Sequence, residues 1–222
     1  MPVFHLIRHG QASFGAADYD VLSDIGHQQA KVLADTLVRR GVRPDRIVAG
    51  SLRRHRDTAV TCAEAAVWDL PVGIDPRLDE YNYRPPPGAA PVPGALPVPG
   101  SVLGDDGQDA LDVALLDWAT SGRPGADGVT FEQWRSGVLA AQRDFIGSFE
   151  PGTTGVVFTS GGVISVIVAD LLGLGPEGFV ALSRVTVNTA ITKLVSGRRG
   201  TTLISFNDHA HLEGPADLLT YR

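Results

Sequence analysis

Short apolar runs alternate with helical patterns along this chain, and this alternation constrains the fold more than any other feature. Runs with β-branched residues, which are typical of strands, lie at 3–7, 46–50, 71–74, 155–159, 190–195 and 202–206. Helical patterns lie between them: one runs from the N-cap residue Ser23 to Gly41, and others cover about 54–66, 107–121, 130–149 and 162–172. Strands that alternate with helices predict a layered α/β fold around a largely parallel sheet.

Composition restricts the class of protein. The 222 residues carry 19 Lys and Arg against 25 Asp and Glu, and a net charge of −6 argues against a general nucleic-acid binder. Cys62 is the only cysteine, which excludes an intrachain disulfide and a multi-cysteine zinc site. The N-terminus lacks the features of a signal peptide, and the apolar stretch 156–169 is too short and too polar to span a bilayer. We therefore expect a cytoplasmic protein that binds neither nucleic acid nor membranes.

A proline- and glycine-rich segment at 85–100 interrupts the alternation. Its sixteen residues include seven prolines and three glycines, which excludes a helix or a central strand. The segment is either a mobile linker or an ordered, partly polyproline loop. We expect a single domain over residues 1–222 that carries an insertion, or lid, at about 85–130.

Three of the predicted strands are followed directly by residues that suit an anion. Arg8 and His9 follow the first strand, several arginines within 51–56 follow the second, and a small-residue turn at 160–162 follows the buried strand. Guanidinium groups and helix N-termini both favour anions. Packing or a solvated helix start explains any one of these segments alone. In a largely parallel sheet, however, ligands bind beyond the carboxyl ends of the strands, so the three segments together predict a phosphate-sized oxyanion pocket.

Four sequence segments in this order resemble the histidine phosphatase superfamily, which includes the phosphoglycerate mutases: LIRHGQ, LSDIGHQQA, GSLRRHRDTA and VVFTSGGVIS. The resemblance covers nearly the whole chain except for about 85–130. It implies a three-layer α/β/α fold with a mostly parallel sheet of about six strands. It also implies a small phosphorylated substrate, no cofactor and no metal ion, because arginines bind the phosphoryl group. The sequence indicates no particular oligomeric state.

The resemblance also implies roles for individual residues. His9 resembles the nucleophile that takes the phosphoryl group onto a ring nitrogen, and Arg8 and Arg54 resemble the arginines that bind the phosphoryl oxygens. Glu80 resembles the acid that protonates the leaving oxygen, a role that a raised pKa suits. Asp79 is the nearest substitute for Glu80.

Four further residues are expected to contact the substrate beside the two arginines: Gln11, Ser13, Ser160 and Gly161. Position 160 departs from the family pattern, in which a second histidine precedes the glycine pair. Ser160 can donate one hydrogen bond to a phosphoryl oxygen, but it brings no charge. Loss of one preorganised donor typically lowers a rate by about 10²–10³.

Three consequences of this departure are open. Ser160 acts as a weaker donor, or His209 or His211 fills the space, or the chain binds phosphate without useful turnover. His55 follows Arg54 and could line the pocket, but an outward-facing position on its helix is the favoured expectation.

Three functions follow from these alternatives. The leading one is a phosphatase that hydrolyses a phosphomonoester through a phosphohistidine on His9. The second is a catalytically attenuated phosphate-binding or regulatory protein. The third is a phosphoglycerate mutase-type phosphotransferase, which is less favoured because residues 11–20 lack the Arg, Asn and Gln-Gly arrangement of such mutases.

Overall fold

The computed structural model describes residues 1–13, 20–82, 105–125, 127–214 and 218–221, with the backbone alone for 105–110. The predicted proline-rich segment at 85–100 lies outside the described residues. The assignment of 85–130 as a lid, and of 1–222 as one domain, therefore stays a prediction.

A six-stranded sheet forms the centre of the fold, as the sequence predicts. Its strands are β1 (Val3–Arg8), β2 (Arg46–Ala49), β3 (Val72–Ile74), β4 (Thr154–Thr159), β5 (Ile191–Gly197) and β6 (Gly200–Asp208). They lie in the order β3-β2-β4-β1-β5-β6. The pairs among β3, β2, β4 and β1 are parallel, whereas β1 with β5 and β5 with β6 are antiparallel. The sheet is therefore mostly parallel with an antiparallel edge.

Six α-helices accompany the strands in the described residues. They are α1 (Asp24–Arg39), α2 (Arg53–Ala65), α3 (Asp105–Ser121), α4 (Phe131–Gly147), α5 (Gly161–Leu172) and α6 (Pro176–Val185). Two short 3₁₀ turns lie at Pro76–Leu78 and Ala210–Leu212. The first five helices confirm the predicted helical patterns to within about two residues, and α6 was not predicted. Among the described residues, no helix has the length and apolar content needed to cross a membrane.

Helix α1 shows why the predicted ends are observed. The hydroxyl of Ser23 accepts a hydrogen bond from the backbone N–H of Gly26 at 3.0 Å, which satisfies a donor left unpaired at the helix start. At the other end, Gly41 adopts a φ of +70°, a left-handed conformation that glycine reaches without steric cost.

The two faces of the sheet pack against different helices. Phe4 and Leu6 of β1 belong to a cluster with α3, α4, α5 and α6, whereas Ile7 belongs to a cluster with α1 and α2. Strand β4 divides in the same way, with Val157 on the first face and Phe158 on the second. Because successive strand residues point to opposite faces, both sides of the sheet are covered. The three-layer α/β/α arrangement is confirmed.

Candidate active site

The carboxyl ends of β1, β4 and β2 lie side by side, and the three predicted anion-binding segments meet there. The backbone N–H of His9 donates to the carbonyl of Thr159 at 2.8 Å, and that of Gly50 donates to Phe158 at 3.0 Å. The residues that follow each strand therefore lie at the same edge of the sheet. Because β4 lies between β2 and β1, segments that are distant in sequence are neighbours in the fold.

The turn that carries His9 is clamped against α1 and α2. A Cβ on Gly10 would lie 2.6 Å from the carbonyl oxygen of Gly26, so the two backbones touch. The N–H of Gly10 donates to Thr58 Oγ1 at 3.0 Å, and Asn188 Nδ2 donates to the carbonyl of His9 at 3.0 Å. This turn is held from three directions, which orients the imidazole that follows β1.

His9 is buried and neutral, with a defined tautomer. Its Nδ1 lies 2.7 Å from the carbonyl oxygen of Gly10, and because a carbonyl only accepts, Nδ1 carries the hydrogen. Nε2 therefore keeps its lone pair, which accepts from Arg54 Nε at 3.2 Å. Burial, and then the positive charges of Arg54 and Arg8, hold the pKa of His9 well below its ordinary value of 6.5. A neutral ring with an available Nε2 can act as a nucleophile.

Two arginines from different segments flank this ring. Arg54, in the first turn of α2, is paired with the carboxylate of Asp20 at 2.7 Å. Arg8 donates through Nη1 to the carbonyls of Thr186 and Tyr221. Since carbonyls are neutral partners, they orient the Arg8 guanidinium without cancelling its charge.

The region around Arg8, His9 and Arg54 at the strand ends, called the cleft below, is suited to an anion. Besides the arginines, it contains the N-terminus of α5, where backbone N–H groups of 161–162 begin the helix. A Cβ on Gly161 would lie 3.5 Å from Arg8 Nε, so Arg8 packs against this helix start. Within the described part of the chain, no group of three or more His, Cys, Asp and Glu side chains is placed to hold a metal ion.

Glu80 approaches the same helix start from the other side. Its Oε2 accepts from the N–H of Gly162 at 3.3 Å, and a Cβ on Gly162 would lie only 2.3 Å from Oε1. Burial raises the pKa of Glu80, although the charges of Arg54 and Arg8 oppose the shift. A carboxyl group whose pKa is raised can hold a proton for a leaving group.

Asp79, the alternative acid, has the opposite environment. Its carboxylate accepts from the N–H groups of Ser51 and Leu52, at 2.5 and 3.3 Å, at the start of α2. Burial alone would raise the pKa of Asp79, but its contacts with His55 and Ser51 lower it. A carboxylate stabilised in its charged form is a poor proton donor, so Glu80 is the better candidate.

Ser160 contacts a histidine that sequence reasoning missed. The Oγ atom of Ser160 lies 2.6 Å from Nε2 of His55, and both residues are fully buried. The rings of His55 and His9 have centroids 5.5 Å apart. The expectation that His55 faces outward is wrong, because it lies on the buried face of α2. The signal was available: His55 precedes Ala59 and Cys62 at helical spacing, and all three are buried.

His209 and His211 do not reach Ser160. Nδ1 of His209 lies 2.6 Å from the carbonyl of Asn207, and Nε2 of His211 lies 3.3 Å from Thr189 Oγ1. Both belong to the end of β6 and the turn that follows it. The histidine beside Ser160 is His55 instead.

Gln11 and Ser13 attach the loop that follows His9 to the residues before α1. The Oε1 atom of Gln11 accepts from the hydroxyl of Ser23 at 2.8 Å, and the hydroxyl of Ser13 donates to the carbonyl of Leu22 at 3.0 Å. Both side chains therefore tie the loop to the start of α1. Their contact with a substrate stays a prediction.

Comparison with solved structures supports the fold. A mutant phosphoserine phosphatase from Entamoeba histolytica in complex with phosphoserine is 22% identical with a TM-score of 0.68, over 96% of this chain and 100% of that one. A mycobacterial glucosyl-3-phosphoglycerate phosphatase in complex with VO3 is 25% identical with a TM-score of 0.64, over 93% and 98%. YhfR from Bacillus stearothermophilus is 19% identical with a TM-score of 0.69, over 96% and 100%.

Comparison of sequences identifies the family. A search of curated protein sequences finds no match. The family model of the histidine phosphatase superfamily (branch 1) matches residues 4–90 and 105–209. These residues cover most of the chain and include the strand ends at which Arg8, His9 and Ser160 meet. The chain therefore belongs to the histidine phosphatase superfamily, branch 1.

Proposed function

We propose that the protein is a phosphatase that hydrolyses a small phosphomonoester through a phosphohistidine on His9. The observation that carries this proposal is the neutral His9 ring, whose Nε2 lone pair faces the Arg54 guanidinium. A phosphoryl group that binds this guanidinium replaces Nε2 as the acceptor of its hydrogen bond and lies next to the freed lone pair. The phosphatases named among the similar structures favour the same reaction class.

In the first step, the phosphoryl oxygens bind between the guanidinium groups of Arg8 and Arg54. Nε2 of His9 attacks phosphorus, an N–P bond forms, and the bond from phosphorus to the leaving oxygen breaks. Protonated Glu80 gives its proton to that oxygen. The ring becomes positively charged, and its Nδ1–H remains hydrogen-bonded to the carbonyl of Gly10, which stabilises the charge. Phosphoryl transfer depends mainly on such positioning and charge neutralisation.

In the second step, water attacks the phosphorus of the phosphohistidine. The Glu80 carboxylate takes a proton from the water, the P–N bond breaks, and the electron pair returns to Nε2. Inorganic phosphate leaves, and both His9 and Glu80 regain their starting protonation states. One carboxyl group thus serves as acid and then as base, a use that a raised pKa favours.

One observation favours the second candidate, a phosphate-binding protein with little turnover. The carboxylate of Asp20 pairs with Arg54 at 2.7 Å and occupies a guanidinium that a phosphoryl group needs. Together with the neutral Ser160, this ion pair weakens the positive charge of the cleft.

The decisive experiment compares the wild type with His9→Ala on p-nitrophenyl phosphate. We expect the rate to fall by about 10⁴-fold or more, as for removal of other enzyme nucleophiles. Wild type denatured at alkaline pH during turnover should carry a phosphoryl group that is stable in alkali and lost in acid, and the variant should lack it. His27→Gln, a change at a histidine of α1 outside the cleft, is the control. Equal rates for the wild type and His9→Ala would refute the proposal, and phosphate binding without labelling would favour the second candidate.

A further inference from the structure

The hydroxyl of Ser160 does not make the hydrogen bond that is usual for a serine at the start of a helix. Ser160 occupies the N-cap position of α5, where a serine usually accepts from a backbone N–H of its own first turn. Here it makes no such bond in the described structure, and the N–H of Gly162 donates to Glu80 instead. The hydroxyl turns to Nε2 of His55 at 2.6 Å. It therefore lies at the N-terminal end of α5, and its partner is a titratable imidazole.

His55 is an unusual choice for a buried position. The other buried residues of α2 are small or neutral: Thr58, Ala59, Cys62 and Ala63. Nδ1 of His55 has no hydrogen-bond partner among the described residues, and the nearest carboxylate oxygen, Asp79 Oδ1, is 3.7 Å away. A buried donor without a partner destabilises a fold. An apolar residue would avoid this cost, so packing alone does not explain a histidine at position 55.

Protonation of His55 changes what Ser160 can do. When His55 is neutral with its hydrogen on Nδ1, toward Asp79, the Ser160 hydroxyl donates to Nε2 and its hydrogen is occupied. When His55 is protonated, Nε2–H donates to Ser160 Oγ, and the hydroxyl hydrogen is free to bind another acceptor. The opposite neutral tautomer would turn the Nδ1 lone pair toward a carboxylate, which is unfavourable.

The charges around His55 show when protonation occurs. Burial lowers the pKa of His55 and Arg54 lowers it further, whereas Asp79 and Asp20 raise it. His9, the nearest ring on the β1 side, is neutral. In the cleft without substrate these effects leave the pKa of His55 lowered, so the ring is neutral. A bound phosphoryl dianion adds negative charge and favours uptake of one proton from solvent.

We propose that Ser160 and His55 form one composite phosphoryl donor: the Ser160 hydroxyl contacts a phosphoryl oxygen, and protonated His55 behind it directs the hydroxyl there. Ser160 is then a catalytic residue, and His55 is a positioning residue that acts through it. This inference rests on the proposed phosphatase function. The positive charge that a histidine at position 160 would bring is supplied instead by His55 of α2.

The test uses Ser160→Ala, His55→Gln and the double variant, with kcat and KM measured on p-nitrophenyl phosphate across pH. Ser160→Ala should lower kcat by about 10²–10³, as for the loss of other preorganised donors. Because His55 acts through Ser160, the double variant should be no slower than Ser160→Ala alone. If His55 only supported the fold, the rate losses of the two single variants would multiply in the double variant.

The pH profile separates a titrating His55 from a packing role. In the wild type, kcat on p-nitrophenyl phosphate should fall with rising pH as protonated His55 is lost, because this leaving group depends little on the proton of Glu80. His55→Gln should lack this alkaline step, since glutamine can donate to Ser160 but does not titrate. If His55→Gln fails to fold by circular dichroism, Ser160→Ala provides the same test, because it disconnects His55 from the substrate.

A matched control is present in the same pair of helices. His27 of α1 contacts the hydroxyl of Thr61 at 3.2 Å, a histidine–hydroxyl pair outside the cleft. His27→Gln should change neither kcat nor the pH profile. If Ser160→Ala and His55→Gln both keep wild-type kcat while His9→Ala is inactive, this inference is overturned and the phosphatase proposal stands. If His9→Ala keeps the wild-type rate, the phosphatase proposal itself fails.

Discussion

Gly162→Ala tests the position of the proposed acid, because the added methyl group collides with Glu80. The new Cβ would lie 2.3 Å from Glu80 Oε1 and 2.6 Å from the ring of Tyr81, whereas an ordinary contact needs about 3.4 Å. The carboxylate must therefore move by roughly 1 Å, and a misplacement of that size lowers a rate by about 10²-fold. In activation free energy this is about 2.7 kcal/mol.

The neighbouring glycine offers a matched comparison. A Cβ on Gly161 would meet its nearest atom, Arg8 Nε, at 3.5 Å, which is an ordinary contact. Gly161→Ala keeps the backbone N–H at the start of α5 and adds a better helix former. We expect it to lose less than about tenfold in kcat, well below the roughly 10²-fold expected for Gly162→Ala.

The assay compares two substrates, because they depend differently on an acid. An alkyl phosphate such as phosphoserine has a poor leaving group that needs protonation, whereas p-nitrophenolate leaves readily without it. Gly162→Ala should therefore lose much more kcat on the alkyl phosphate than on p-nitrophenyl phosphate. The reasoning is refuted if Gly162→Ala keeps its activity on the alkyl phosphate, or if Gly161→Ala loses as much.

Three further predictions concern charge, packing and pH. Asp20→Asn removes the charge paired with Arg54 and should tighten binding of inorganic phosphate by about two- to fivefold in calorimetry, since such ion pairs contribute up to about 1 kcal/mol; unchanged affinity would contradict this. Gly26→Ala places a Cβ 2.2 Å from the carbonyl oxygen of Gln11 and should lower the free energy of unfolding by about 1–3 kcal/mol in urea titrations. The free energy of unfolding should also fall as pH decreases from 6.5 toward 4, because burial lowers the pKa of His5 to about 4 and only the unfolded chain takes up the proton there. His5→Gln should show a shallower pH dependence, and an equal slope would contradict the assignment.

Local sequence patterns were sufficient for most elements of the fold. The residues around Ser23 and Gly41 specify both ends of α1 through capping and a left-handed glycine, and these are short-range interactions. Strands β1 and β4 are observed as predicted because each is a short apolar run buried on both faces, whereas the edge strands β3 and β6 are partly exposed. Helix α6 was missed, although Pro176 at its first position and Glu177 in its first turn are local start signals.

For the candidate site, the sequence predicts some placements correctly and others not. The rule that ligands bind beyond the carboxyl ends of parallel strands is sufficient to predict that Arg8, His9 and Ser160 lie at one edge of the sheet. An outward position is the ordinary expectation for a polar helix residue such as His55, but His55 lies on the buried face of α2. Its helical spacing with Ala59 and Cys62 was the better guide.

The sequence by itself determined the α/β class, the succession of strands and helices, and which residues follow β1, β2 and β4. Only the tertiary structure decided the tautomer of His9, the opposite environments of Asp79 and Glu80, and the contact between His55 and Ser160. The physical reason is distance along the chain: His55 and Ser160 are 105 residues apart and meet only because β2 lies beside β4. Burial and neighbouring charge, which set these pKa directions, exist only once the strands are ordered in the sheet.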